Sequence, residues 1–367
     1  MKRTVRLVHK YLSLGLLVVW LLQAVTGVLL VFHWELDDLG VAGPRMALNP
    51  YKLDTALERF QQGHPGQPVN AIYTSGGLPG RFDVVIDNPG GGRDVMRVDG
   101  EGRVLRARPW DHDFGHIGFF QIATYLHQTL FLHATGNWIM AISGVLLLSN
   151  ICLGLYQAWP RRGHWRRTLW PFGATTPASP VASLYQWHRA LGLALALPAL
   201  VLIVPGIVRA LDDPLSLSDR FEAARPPHVV IAGTSPSDVH PPALSWVLTT
   251  ASTLYPGSQL AGIEYPDARA PWYAVRLTQF NDVRRYFGTT IVYISSRDGT
   301  VLKNYDSTLM PLGVRIWDAV YALHTGEIAG VAGRCLVLLV GLSLLVLMGF
   351  GLSVYLLRRG RERNLAG

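Results

Sequence analysis

Two cysteines in 367 residues, Cys152 and Cys335, are too few and too far apart for several kinds of chemistry. They cannot build a Cys-x-x-Cys metal site, a four-cysteine iron–sulfur cluster or a Cys-x-x-Cys-His haem attachment. Both fall inside apolar runs, where the expectation is a small packing side chain. Charge is scarce too: 16% of residues are charged and 49% are hydrophobic, a balance that belongs to membrane proteins. Four stretches, residues 12–34, 137–159, 190–208 and 335–357, contain no Asp, Glu, Lys or Arg at all. At about 1.5 Å per residue, the last of them is long enough to cross a hydrocarbon layer of about 30 Å as a helix. No basic stripe marks a folded domain for nucleic acid. The glycine-rich turns at Gly76-Gly77 and residues 89–92 have no helix start directly behind them, which removes a phosphate cradle. The first apolar run is longer than a signal-peptide core and lacks a small-x-small cleavage site, so it reads as a retained anchor.

The formal net charge of +8 is placed to orient a membrane protein. Lys2, Arg3, Arg6 and Lys10 precede the first apolar stretch, Arg161, Arg162, Arg166 and Arg167 follow the second, and Arg358, Arg359, Arg361 and Arg363 follow the fourth. The positive-inside rule then places both termini and the middle loop in the cytoplasm and the two long connections outside. The expected layout is TM1 over 1–34, an external domain over 35–121, a surface helix and TM2 over 122–160 and a cytoplasmic loop over 161–182. TM3 follows over 183–210, a second external domain over 211–314, a surface helix and TM4 over 315–358 and a tail over 359–367. TM3 carries Pro198 and Pro205, which predicts a kink.

Each long connection has the grammar of a small α+β domain. The first has a helical pattern at 51–61, strands at 69–73, 82–86, 95–98 and 104–106, and an Asp99-Gly100 hairpin turn. The second has a helix at 244–254, strands at 260–264, 272–277, 290–294 and 301–304, and a turn at Asp298-Gly299.

The same sequence elements recur at fixed offsets. His127 is followed by Gly136, Gly144 and Gly154, and His324 by Gly333, Gly341 and Gly351, at offsets of 9, 17 and 27 in both cases. Gly27 and Gly206 follow His9 and His188 by 18. These matches read as an internal duplication whose halves run in parallel, a four-helix membrane bundle with two external α+β domains. A pseudo-two-fold axis along the membrane normal carries each residue to its counterpart at the same depth. His9 then faces His188 near the cytoplasmic side, and His127 faces His324 near the outer side. Two imidazoles from opposite sides at each of two levels suit two bis-histidine haems, whereas two donors per level leave zinc short. His33 and His133 have no counterpart histidine and are weaker candidates for ligands or propionate partners. Arg334, just ahead of TM4, is a candidate propionate partner. The run Asp111-His112-Asp113 with His116 is a weaker candidate for a metal outside the membrane. Trp34, Trp110, Trp138, Trp159 and Trp187 fit interfacial positions.

The chain resembles the PepSY-associated transmembrane-helix proteins, a group that includes inner-membrane ferric-siderophore reductases of the FoxB type. The resemblance rests on His9-Lys10 with Leu14-Gly15, Leu126-His127 through Gly136, Trp187-His188-Arg189 with Leu191-Gly192, and Leu323-His324-Thr325-Gly326 through Gly333-Arg334. It implies PepSY domains in the periplasm and two non-covalent haem b groups. It also implies transfer of electrons from a quinol or a cytoplasmic reductant to a periplasmic ferric siderophore. Departures lie at Gln128-Thr129, where the second half has Thr325-Gly326, and at Asn137, where it has Arg334. Two rivals belong to other classes. A haem-free membrane-anchored regulator of a periplasmic peptidase has no use for matched histidine pairs. A siderophore transporter fits poorly with first, second and fourth spans that lack mid-membrane charge.

Overall fold

The computed structural model describes residues 2–77, 79–109, 118–170, 179–218, 242–280, 282–284 and 288–366. In chain order the helices are α1 (Lys2–Gly15), α2 (Leu17–Leu30), α3 (His33–Leu39), α4 (Pro50–Gly63), α5 (Phe119–Thr129), α6 (His133–Ala158), α7 (Trp165–Leu169), α8 (Pro180–Leu215), α9 (Leu244–Leu254), α10 (Leu312–Thr325) and α11 (Gly330–Ala366). The strands are β1 (Val69–Thr74), β2 (Arg81–Asp87), β3 (Arg93–Asp99), β4 (Val104–Pro109), β5 (Gln259–Glu264), β6 (Trp272–Thr278), β7 (Thr290–Ser295) and β8 (Val301–Tyr305). Two compact units result. One is helical (Met1–Val31, Ala123–Leu217, Leu323–Gly367), and the other is built on the sheet (Phe32–Ile122, Ser218–Ala322).

In the helical unit, α6, α8 and α11 are each long and apolar enough to span a bilayer, and α1 with α2 makes a fourth span only as a bent pair. The first span is therefore not the straight helix expected over 12–34. It breaks at Leu16, with 63° between its two pieces. The hydroxyl of Ser13 donates back to the carbonyl of His9 at 2.7 Å, a bond that competes with the helical ladder and favours a bend. The third span is longer than expected and is one helix across Pro198 and Pro205. Ser179 caps it by accepting from the amide of Ala182, Pro180 follows at the first turn, and Ser216 ends it at φ 46°.

All eight expected strands are present, but they do not form two separate domains. They make one antiparallel sheet in the order β4-β3-β2-β1-β5-β6-β7-β8, joined at its centre by β1 and β5, where Ile72 lies opposite Ile263. Leu53 and Leu57 of α4 and Val247, Leu248 and Ala251 of α9 share one core with Ile72, Val84, Val98, Ile263, Val275 and Val292. The Asp99 carboxylate ties the β3–β4 turn by accepting from the amides of Glu101 and Arg103. An ion network fixes α3 to the strands. Asp38, wholly buried, accepts from Arg81 at 2.8 Å, and Asp37 accepts from Arg97 at 2.8 Å and from Arg106 at 2.6 Å. Burial pushes the Asp37 carboxyl up, but its bond to Arg106 and the charges of Arg97, Arg106 and Arg108 outweigh that and hold it below the usual carboxylate range.

Candidate functional site: two facing histidine pairs

The helical unit brings its four repeated histidines together as two pairs. His9 on α1 and His188 on α8 have ring centres 6.5 Å apart with planes at 63°. His127 at the end of α5 and His324 at the end of α10 have ring centres 6.1 Å apart with planes at 32°. His324 rests against Gly206, eighteen residues along α8 from His188, so the levels are separated by about 27 Å of helix.

Each ring is held by the same device. Nδ1 lies 3.1 Å from the carbonyl oxygen of Asn150 for His9, 3.0 Å from that of Leu347 for His188 and 2.9 Å from that of Leu202 for His324. For His127 the partner is the Thr26 hydroxyl at 3.0 Å, whose own proton goes to the carbonyl of Leu22. The ring's Cε1 edge rests on a glycine. A Cβ added at Gly154 would stand 3.1 Å from His9, at Gly351 3.2 Å from His188, at Gly27 3.0 Å from His127, and at Gly206 2.8 Å from His324. A helical side chain covers the turn N-terminal to its own Cα. Gly154, Gly351 and Gly206 each come four residues after the carbonyl that the ring bonds, so omitting Cβ there bares that carbonyl and lets the imidazole lie against the backbone.

The remaining repeated glycines have different tasks. Gly144 and Gly341 admit the side chains of Ile207 and Val28, and Gly136 and Gly333 lie against the carbonyls of Thr129 and Gly326. Close helix crossings and tight turns both require a missing Cβ.

With Nδ1 donating its proton, Nε2 keeps the lone pair, the tautomer of a metal-binding histidine. Among the described residues no Nε2 of the four makes a hydrogen bond. Two imidazoles on opposite sides of one metal, with bonds of about 2.0 Å and about 1.2 Å from nitrogen to ring centre, put the ring centres about 6.4 Å apart. Both pairs lie within a few tenths of an ångström of that value. Ordinary aromatic packing covers a wider range, about 4.5–7 Å, and has no need of four locked Nδ1 atoms. Among the described residues no three His, Cys, Asp or Glu side chains converge as on a metal ion. Two donors per level suit a group that brings its own in-plane donors.

Other expectations fare differently. Arg334 is 2% exposed and donates from Nε to the carbonyl of Val31 at 3.0 Å, which ties the start of α11 to the end of α2. Asn137, at the corresponding offset, donates to Asp213 at 3.0 Å. His33 belongs to the sheet unit, its ring 4.6 Å from Trp34 and 6.1 Å from Phe120. His133 opens α6 with φ 49°, in a turn where Leu130 and Phe131 also have positive φ. Cys152 and Cys335 are free and exposed on the chain's own surface, not packed inside it. Trp110, Asp111, His112, Asp113 and His116 lie outside the described residues.

Three further buried polar residues lie in or beside the helical segments that carry the pairs. Asn150 is 6% exposed within α6, Thr26 lies beside His127, and Glu327 is 1% exposed just after α10. A lone Asn or Glu in or beside an apolar span was the available signal. A search of curated proteins finds no match. The family model of the PepSY-associated TM region matches residues 6–358, which include all four paired histidines and every strand of the sheet. The chain is a membrane protein that belongs to the family of the PepSY-associated TM region.

Proposed function

We propose that the protein is a di-haem oxidoreductase of the bacterial inner membrane that passes electrons outward to a ferric siderophore. The observation that carries this reading is the pair of ring separations, 6.5 and 6.1 Å, each matching two imidazoles across one metal. In this reading the equal offsets record an internal duplication, the termini are cytoplasmic and the sheet unit is periplasmic.

A haem b at each level supplies one-electron exchange at its iron. His9 and His188 at one level, and His127 and His324 at the other, would hold such a group through Nε2, while their Nδ1 bonds fix the ring orientations and raise the basicity of Nε2. Gly154, Gly351, Gly27 and Gly206 set how deeply each ring sits against its helix. Arg334, buried and cationic at the start of α11, is the candidate partner for a propionate. The substrate gains one electron per iron. Its hard oxygen ligands hold the larger, less charged Fe(II) more weakly, so reduction releases the metal. The donor is a quinol or a cytoplasmic reductant.

A pyridine haemochrome assay on the purified full chain tests this. Two haem b per chain are expected, with about half lost in His324→Ala or His127→Ala, and reoxidation of the dithionite-reduced protein by a ferric siderophore. Colourless protein would overturn the reading in favour of the haem-free peptidase regulator.

A further inference from the structure

The two histidines of the His9 level are held unequally, and the difference lies at Asn150. Its carbonyl takes the Nδ1 proton of His9, its Nδ2 donates to the Ser13 hydroxyl at 2.9 Å, and that hydroxyl donates to the carbonyl of His9 at 2.7 Å. One residue therefore grips the histidine from both its ring and its backbone. His9 needs the grip, because it rides on α1, set off by the 63° break from α2, whereas His188 lies within the continuous α8. The Asn150 Oδ1 is buried and makes no hydrogen bond among the described residues. On the other side of the pair the residue at the same offset is Leu347, which offers its carbonyl and no side-chain dipole.

We propose that Asn150 is a positioning residue that makes the His9–His188 level the lower-potential of the two. The inference rests on the di-haem reading. An amide oxygen in a low-dielectric span presents the negative end of a dipole to the ligand, and that favours the more positive ferric state of the metal. At the other level the Thr26 hydroxyl oxygen is itself the acceptor of the His127 proton, so it stands in place of a backbone carbonyl and does not add a second dipole beside one. With a haem held at each level, this ordering would favour movement of one electron from the His9 level to the His127 level, with no atom transferred and no further reactant.

Redox titration of Asn150→Leu and Ser13→Ala, followed in the haem α-band and by electron paramagnetic resonance, tests it in the purified full chain. In ferric bis-imidazole haem the highest g value rises with the angle between the ligand planes. The His9 level, at 63°, therefore gives the signal at higher g than the His127 level, at 32°. The expected result is an upward shift of the lower-potential wave in Asn150→Leu, a smaller shift of the same sign in Ser13→Ala, and a change confined to the higher-g signal. Unmoved waves in red Asn150→Leu protein, or a change confined to the lower-g signal, would overturn the tuning role while leaving the di-haem reading in place. If Asn150→Leu sheds haem, Ser13→Ala decides, and an unmoved lower wave there overturns the proposal. A colourless parent protein overturns both readings.

Discussion

The seating of imidazoles on glycine makes Gly206→Ala the most direct test of the site. The added methyl would lie 2.8 Å from Cε1 and 3.0 Å from Nδ1 of His324, about 0.6 Å inside the start of ordinary contact near 3.4 Å. The helix backbone cannot yield by that much, so the ring must. It can retreat only by stretching its 2.9 Å bond to the carbonyl of Leu202, which removes the lock on its tautomer. Overpacking of this kind costs about 1–3 kcal/mol, and loss of a ligand's outer partner lowers affinity for the bound group by about 10–100-fold. Helix propensity acts with the opposite sign, because Ala in a helix is better than Gly by about 1 kcal/mol. Gly192→Ala, on the same helix, is the control: its nearest neighbour is Leu347 at 3.7 Å, which leaves room for a methyl. Haem per chain and the thermal unfolding midpoint, measured together in detergent, separate the two contributions. In the di-haem reading Gly206→Ala should lose about half its haem with apoprotein stability lowered by no more than about 2 kcal/mol, while Gly192→Ala keeps both. A Gly206→Ala protein with full haem and an unaltered Soret band would refute the seating argument.

Asp38→Asn removes the charge facing Arg81, with side chains 0% and 6% exposed, and should lower the stability of the sheet unit by about 3–5 kcal/mol in denaturant titration. Asp37, whose folded pKa is depressed, adds stability that is full above the ordinary carboxylate value and disappears as pH falls through the lower folded value. Asp37→Asn should therefore flatten the acid limb of the stability–pH curve, and an unchanged acid limb would count against the network. His133→Gly relieves a left-handed residue that costs roughly 1–2 kcal/mol. It should raise the unfolding midpoint and leave the haem spectrum as it was, and a spectral change would make His133 part of the site.

Much of this architecture is legible in the residues because the same offsets recur. Eight strands and the α4 and α9 helices follow from period and turn chemistry, and they fall within a few residues of where those signals end. The seam between β1 and β5 is not legible. Ile72 and Ile263 are ordinary apolar strand residues, and nothing local to either says that its partner lies in the other half of the chain. The break at Leu16 escapes for a related reason. Hydropathy reports that residues 12–34 are apolar, and is blind to the direction a helix takes when Ser13 bonds back to His9.

The glycine offsets show most clearly what repetition does and does not encode. Equal spacing identifies positions under a common constraint, and it anticipates which histidine rings face each other. It is silent on what the constraint is. Gly136 and Gly333 serve a tight turn, Gly144 and Gly341 a helix crossing, and Gly154 and Gly351 a ring. The departures from repetition carry the complementary information. His133 stands where the second half has Gly330, and both have positive φ, so the turn's geometry is kept at a cost in strain. Asn150 stands where the second half has Leu347, and its carbonyl still receives the histidine proton, so the seat is kept while a dipole is added. Where backbone geometry is shared and only the side chain differs, the difference acts through charge or strain, and at Asn150, beside His9, charge is the one that reaches the imidazole.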